Sequence, residues 1–217
     1  MSDHPVQLAA LRRLLADRFP ATPRPTEGVV ATGVAAVDAQ LPGGIPRGGL
    51  TEFVAAAPSN GMQLVLGALL AATRGSQARV GLIDAADAFD PGSLADDAVG
   101  HLVWIRCRAL EDAWRTADLL VRDPNYGMVI LDVRDVEPRL LKRAAATIWY
   151  RLQRAAEESQ VAVLVQSAAP TVPCARSRLV FKESYPLGAL TQKRPALLAQ
   201  LMVEVQRQRA GRVQEAI

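Results

Sequence analysis

The sequence predicts an α/β fold in which a mostly parallel central sheet is covered on both faces by helices. Two observations carry that prediction. Short apolar runs of four to six residues alternate along the chain with longer segments of helical period, as they do where strand and covering helix follow one another. Half of the 217 residues are apolar, enough to bury a substantial core.

The elements follow in order. From Val6 to Phe19, Leu8, Leu11 and Leu15 recur at helical spacing, and Pro20 to Pro25 forms a stiff tether. Strand and helix then alternate: LTEFV before Met62–Thr73, RVGLI before a loop, LVWI before Leu110–Arg122, MVILD before Pro138–Glu158, and VAVLVQ last. The segment from Pro138 is the clearest helix. Leu141, Ala145, Ile148, Leu152 and Ala155 line one face, and Lys142, Arg143, Arg151 and Arg154 lie off it as a solvated face. Beyond Gln166 a polar loop leads to two strand candidates, SRLVFKE and LMVEVQRQR. The organisation expected is an N-terminal helix and tether over 1–25, an α/β core over 26–183, and a basic strand and tail over 184–217 that completes the core. Trp104, Trp114 and Trp149 fall in apolar stripes and are expected in the core.

Composition narrows the function classes. The longest apolar runs fall far short of the roughly 20 residues of a membrane span, and MSDHPVQ lacks the basic-then-apolar pattern of a secretory signal, so a cytoplasmic location is expected. Cys107 and Cys174 have no CxxC spacing and no histidine cluster beside them, which gives no support to a metal site or a disulfide framework; both are expected as reduced thiols. The formal charge of +3 is modest, but Arg176 to Arg212 is rich in Lys and Arg, which permits a nucleic-acid partner.

Five ordered segments resemble the RecA superfamily: TGVAAVDAQLPGGIPRGGLTEFV, VGLIDAADAFDP, TADLLVRDPNYGMVILD, RLQRAAEESQVAVLVQ and LMVEVQRQRAG. Within it the wording of LPGGIPRGGLTE and LVWIRCRALEDAW is closest to the ImuA family, accessory proteins of bacterial damage-induced mutagenesis. The resemblance implies a RecA-like P-loop core, here with a degenerate Walker A. A working phosphate loop reads G-x-x-x-x-G-K-[ST]: its backbone N–H groups cradle phosphates, the lysine neutralises them and the hydroxyl binds magnesium. The corresponding stretch is AAAPSNGMQ. Ala55 stands at the first glycine, and Ser59, Asn60, Gly61 and Met62 fill the rest, with Gly61 or Met62 at the lysine position and Met62 or Gln63 at the hydroxyl position. Ala86 stands where RecA has its water-activating glutamate. Without cation, hydroxyl and base, phosphoryl transfer loses the electrostatic stabilisation it depends on, so no ATPase activity and no cofactor are expected. Weak ATP binding is compatible with what is left of the loop.

The resemblance also assigns residues. Asp132 resembles a vestigial Walker B aspartate and Gln166 the glutamine that links nucleotide to DNA loops; a strand-end cap and a satisfier of backbone groups are the structural alternatives. Arg176, Arg178 and Lys182 fall where RecA has its second DNA-binding loop, and Arg207 and Arg209 where it reaches a neighbour's nucleotide. They are candidate contacts for single-stranded DNA, bound weakly and without sequence preference, or for a partner, with solvated edge-strand charges as the alternative. Leu8, Leu11 and Leu15 would form an oligomerisation helix or pack on their own core. The function implied is a catalytically inactive, ImuA-type accessory protein of error-prone translesion synthesis. Its partners would be an ImuB-type polymerase-like protein and a DnaE-type error-prone polymerase, with RecA and further copies of the chain as additional contacts. The alternatives are a RecA-like ATPase or nucleotide-gated switch completed in trans by a partner subunit, and a SulA-type cell-division inhibitor.

Overall fold

A computed structural model describes residues 28–76, 78–94 and 98–208. Leu8, Leu11, Leu15 and Arg209 lie outside them.

The chain is α/β, with a seven-stranded, mostly parallel central sheet flanked by helices. A small antiparallel pair, β1 (Val29–Val30) and β2 (Ile45–Pro46), precedes the sheet and encloses α1 (Ala35–Asp38). Asp38 ties the entry to α1 by accepting from the N–H and hydroxyl of Thr32 at 2.9 and 2.8 Å. The turn into β2 needs a glycine: Gly44 has φ +142°, and a Cβ there would lie 2.3 Å from the Val30 carbonyl oxygen.

The sheet contains β3 (Gly49–Ala55), β4 (Arg79–Asp84), β5 (Leu102–Arg106), β6 (Tyr126–Asp132), β7 (Ala162–Ser167), β8 (Ser177–Phe181) and β9 (Glu204–Gln208). Their order is β5-β4-β6-β7-β3-β8-β9, and only β9 runs antiparallel to its neighbour. The interior strands β3, β6 and β7 are buried almost throughout, which is why they read as continuous apolar runs rather than alternations.

Each face carries its own core. On one, α2 (Met62–Thr73) lays Met62, Val65, Leu66, Leu69 and Leu70 onto Phe53, Leu82, Ile130 and Leu164. Each such side chain contributes roughly 1.5–3 kcal/mol by leaving water. On the other, α3 (Leu110–Arg122) and α5 (Ala146–Ser159) pack through Trp114 and Trp149, whose rings meet edge to face at 4.9 Å. The cationic residues of α5 are solvated as the charge pattern implies: Arg151 reaches Asp118 at 3.3 Å and Arg154 reaches Glu158 at 2.9 Å, both exposed. No helix among the described residues is long and apolar enough to cross a membrane.

Two expectations need correction. The helix expected over Pro138–Glu158 is two helices, α4 (Pro138–Arg143) and α5, separated by Ala144 and Ala145 in extended conformation. Across this extended step Trp149 is buried in the core while Ala145 is exposed. Trp104 is half-buried rather than core, because β5 is a sheet edge. Its indole packs edge-on against Phe89 at 5.4 Å and lies 5.0 Å from the Arg106 guanidinium.

The segment after β8 returns across the mouth of the fold. A 3-10 turn (Leu187–Thr191) and α6 (Arg194–Ala199) lead to β9, and Tyr185, Leu198 and Leu201 pack against the α2 side of the core.

Candidate functional site

The C-terminal ends of β3, β6 and β7 converge on the N-terminus of α2, the position at which open α/β sheets hold ligands. Asp84, Asp132 and Gln166 stand side by side in register across β4, β6 and β7 and share the α2 face of the sheet. Beside them is a cavity of about 680 Å³, walled by residues 55–64, by Arg134 and Asp135, and by Tyr185, Leu187 and Leu190 from the returning segment.

The loop over residues 55–61, between β3 and α2, is tied down by hydrogen bonds within the chain. Asn60 is the hinge of that arrangement: its carboxamide oxygen accepts from the Met62 N–H at 3.0 Å while its amide donates to the Ala57 carbonyl. One of the free N–H groups of the helix start is therefore capped by a side chain of the same chain. Gly61, with φ +81°, makes the turn into the helix, and a Cβ there would lie 2.7 Å from the Tyr185 ring. The returning segment is pinned down by Tyr185 N–H donating to the Ser59 carbonyl at 2.9 Å, and by the Ser184 hydroxyl donating to Pro58 at 2.7 Å. Tyr185 in turn donates its hydroxyl to the Leu197 carbonyl at 2.5 Å, and burial pushes its pKa up.

Asp132 has an internal cation. Arg134 grips it in a fork, Nε to Oδ1 at 2.9 Å and Nη2 to Oδ2 at 2.6 Å, and both side chains are largely buried. The guanidinium also faces the side-chain amide of Gln63 in the first turn of α2, whose oxygen can accept from it once the amide is turned to match its donors. Burial works against the charge on Arg134, but the Asp132 carboxylate outweighs it and raises the pKa. Charge-assisted, bidentate pairs of this kind are the strong ones.

Asp84 caps a loop. Its carboxylate accepts from the N–H groups of Ala88 at 3.0 Å and Phe89 at 2.9 Å and from the Trp104 indole at 3.2 Å. Ala86 N–H adds a longer contact at 3.4 Å. Burial alone would raise the pKa, but these donors outweigh it and hold the group below the usual 3.8. A carboxyl depressed in the fold contributes stability that is present above 3.8 and lost as pH falls further toward the folded value. Asp84→Asn is expected to cost about 2 kcal/mol at neutral pH and to flatten the loss of stability below pH 4. Urea denaturation of both proteins across that window is the check; parallel curves would mean that another group is responsible.

Gln166 is fully buried, and neither its amide nitrogen nor its oxygen has a protein partner. Its side chain does not reach Asp132, and its backbone carbonyl accepts from the Val133 N–H at 2.9 Å.

The basic candidates are not brought into one patch. Arg178 turns into the fold on the face opposite α2, where its Nε donates to Glu52 at 2.6 Å and its Nη2 to the Val172 carbonyl at 2.8 Å. Its expected place as a surface contact is thus replaced by a structural ion pair, because a carboxylate buried in the middle of β3 needs a cation. Lys182 pairs with Glu204 across β8 and β9, and Arg207 donates to the Pro173 carbonyl at 2.7 Å. Arg176 lies against Gly49 at the start of β3, the end of the sheet away from the cavity. With β8 between them, Arg176 and Lys182 are roughly 20 Å apart.

Sequence reasoning missed Arg134 and Glu52. The spacing D-V-R at the end of β6 is a readable signal for the first. For Glu52 the signal is an acid inside the apolar run LTEFV, although its partner lies 126 residues away. No family model matches this chain, and a search of curated proteins finds no similar one.

Proposed function

We infer that this chain is a RecA-like core of the ImuA type that works by contact with other proteins and does not hydrolyse ATP. The observation that carries the reading is the Asp132–Arg134 fork. Where the resemblance puts a metal-binding carboxylate, that carboxylate is paired with a guanidinium of its own chain, and the adjoining helix start is capped by Asn60. Magnesium nucleotide would have to displace both, and the loop offers no lysine in return, since none occurs between Arg47 and Arg74. The parallel sheet with its strand ends on the aligned loop is the architecture such a core requires. A core whose Asp132 carboxylate and helix start are satisfied internally is useful as a surface, and error-prone translesion synthesis with a polymerase-like partner is the setting that the sequence resemblance favours. A SulA-type role has no observation in its favour.

Two measurements test this. The purified chain, alone or with single-stranded DNA, is expected to show no magnesium-dependent ATP turnover above background, and millimolar MgATP is expected to leave the melting temperature within about 1 °C, because a ligand that does not bind gives no mass-action stabilisation. Turnover abolished by Asp132→Ala would overturn the reading. In cells with damaged DNA, the tagged chain is expected to co-purify with a polymerase-like protein and a DnaE-type polymerase; recovery of a division protein instead would assign the SulA-type role.

A further inference from the structure

The two edges of the sheet are built differently. An edge strand carries a row of unpaired backbone groups, and sheets that stay single guard such strands with charges, proline or an irregular register. β9 is guarded in this way: Glu204, Gln206 and Gln208 are exposed along it, Arg207 lies among them, and the register against β8 shifts between Arg178 and Leu179. β5 is not. Its register against β4 is regular, and Leu102, Val103, Trp104 and Ile105 carry no charge. All four are only half-buried, where β6 and β7 are buried throughout, and α3 packs chiefly over β6 and β4.

The hydrogen bonds to β4 fix which groups of β5 are left over. The His101 carbonyl accepts from the Val80 N–H and the Cys107 N–H donates to the Asp84 carbonyl, so residues 101, 103, 105 and 107 face β4, and Leu102, Trp104 and Arg106 turn their N–H and C=O groups outward. The Leu102 N–H is taken by the Val99 carbonyl at 2.9 Å. The Leu102 carbonyl, both groups of Trp104 and the Arg106 N–H have no strand partner among the described residues.

We propose that this edge pairs with the same edge of a second copy of the chain, antiparallel and with Trp104 on the twofold axis, so that two sheets become one. In that register the two Trp104 residues exchange both of their bonds, and each Arg106 N–H donates to the Leu102 carbonyl opposite, which engages every group left over. The side chains match as well. On the α3 face Val103 of each copy lies opposite Ile105 of the other, a β-branched pair of the kind that stabilises antiparallel strands. On the α2 face the two Trp104 side chains stand side by side and Arg106 lies opposite Leu102, so that no two like charges oppose each other. This self-complementarity selects a second copy as the occupant. The joint uses neither the N-terminal segment nor the loop before α2, so it goes beyond the functional reading above and does not depend on it.

Sedimentation equilibrium of the full chain is the test. A strand edge is smaller than a standard interface, so a dissociation constant of roughly 1–100 µM is expected, with dimers forming as the concentration rises through that range. Val103→Glu and Ile105→Lys each set a charge against an apolar residue of the other copy, and each is expected to weaken dimerisation at least tenfold. Mixed in equal amounts, the two variants are expected to form a heterodimer at least tenfold tighter than the dimer of either alone, because the new acid of one then lies directly opposite the new base of the other. Arg106→Pro removes an outward donor without touching the bonds to β4. It is expected to weaken dimerisation while the melting temperature of the dilute chain stays within about 2 °C, and it decides the matter if a charge inside the strand disturbs the fold. A chain that stays monomeric up to roughly 100 µM would overturn the proposal. So would a dimer that all three variants leave unchanged, or a mixture of two folded variants no tighter than its parts. Loss of the dimer on deleting residues 1–25 would also overturn it, by placing the joint on the N-terminal segment.

Discussion

Glu52→Ala is expected to lower the melting temperature by roughly 10 °C, from a loss of about 3–5 kcal/mol at roughly 2–4 °C per kcal/mol for a chain of this size. Glu52 sits in the middle of a central strand with no exposure to solvent. Its carboxylate accepts from the Ser167 hydroxyl at 2.9 Å, the Thr171 and Val172 N–H groups at 2.6 and 3.2 Å, and Arg178 at 2.6 Å. Removing it strands a largely buried guanidinium and two inward-facing N–H groups, and an uncompensated buried charge is the costlier of these. The loss should be local as well as global: hydrogen exchange at Thr171 and Val172 should accelerate, since Glu52 fixes the loop between β7 and β8. Replacing both partners, Glu52→Leu with Arg178→Met, is expected to recover much of the stability, because no charge is then left buried. If the single substitution costs less than about 1 kcal/mol in urea denaturation, the pair is solvated and this account of β3 is wrong.

How much of this was legible in the sequence depends on the range over which the signal acts. The strands and α2 and α3 were readable because apolar period is local: Met62–Thr73 and Leu110–Arg122 have the expected bounds. The break at Ala144–Ala145 was not, because alanine is the best helix former and the run of alanines carries no local stop signal. In the candidate site, the sequence resemblance singled out Asp132 and Asn60; Asn60 lines the cavity, and Asp132 lies behind it, paired with the cavity-lining Arg134. The local D-V-R spacing was there to be read for Arg134. The pairing of Glu52 with Arg178 was not readable, since it depends on β3 and β8 lying side by side, and Arg178 reads as one more cation in a basic stretch. Nothing in the sequence announces that Tyr185 closes over Gly61; that follows from the path of the returning segment.

Arg134→Ala is expected to cost about 3 kcal/mol, as breaking one side of a buried pair does, and to create a response to divalent cations that the unaltered chain lacks. In the intact site both Asp132 oxygens are engaged by the guanidinium, so a magnesium ion gains nothing by approaching. With the arginine shortened, Asp132 keeps only the Arg134 backbone N–H, at 3.1 Å, and faces the cavity as an unneutralised carboxylate. A hard cation is the simplest group to satisfy it. Melting curves in chelator and in 10 mM magnesium should therefore coincide for the unaltered chain and separate for the variant, by the few degrees that binding near saturation produces. Arg134→Lys distinguishes charge from geometry. Lysine restores the positive charge but not the fork, so it should abolish the magnesium response while recovering only part of the stability. Two outcomes would sink the idea that an internal cation closes this site: stabilisation of the unaltered chain by magnesium, or a variant as stable as the parent and indifferent to the ion. In either case the fork would not be what closes the site, and the inactivity proposed for the loop would rest on its missing lysine alone.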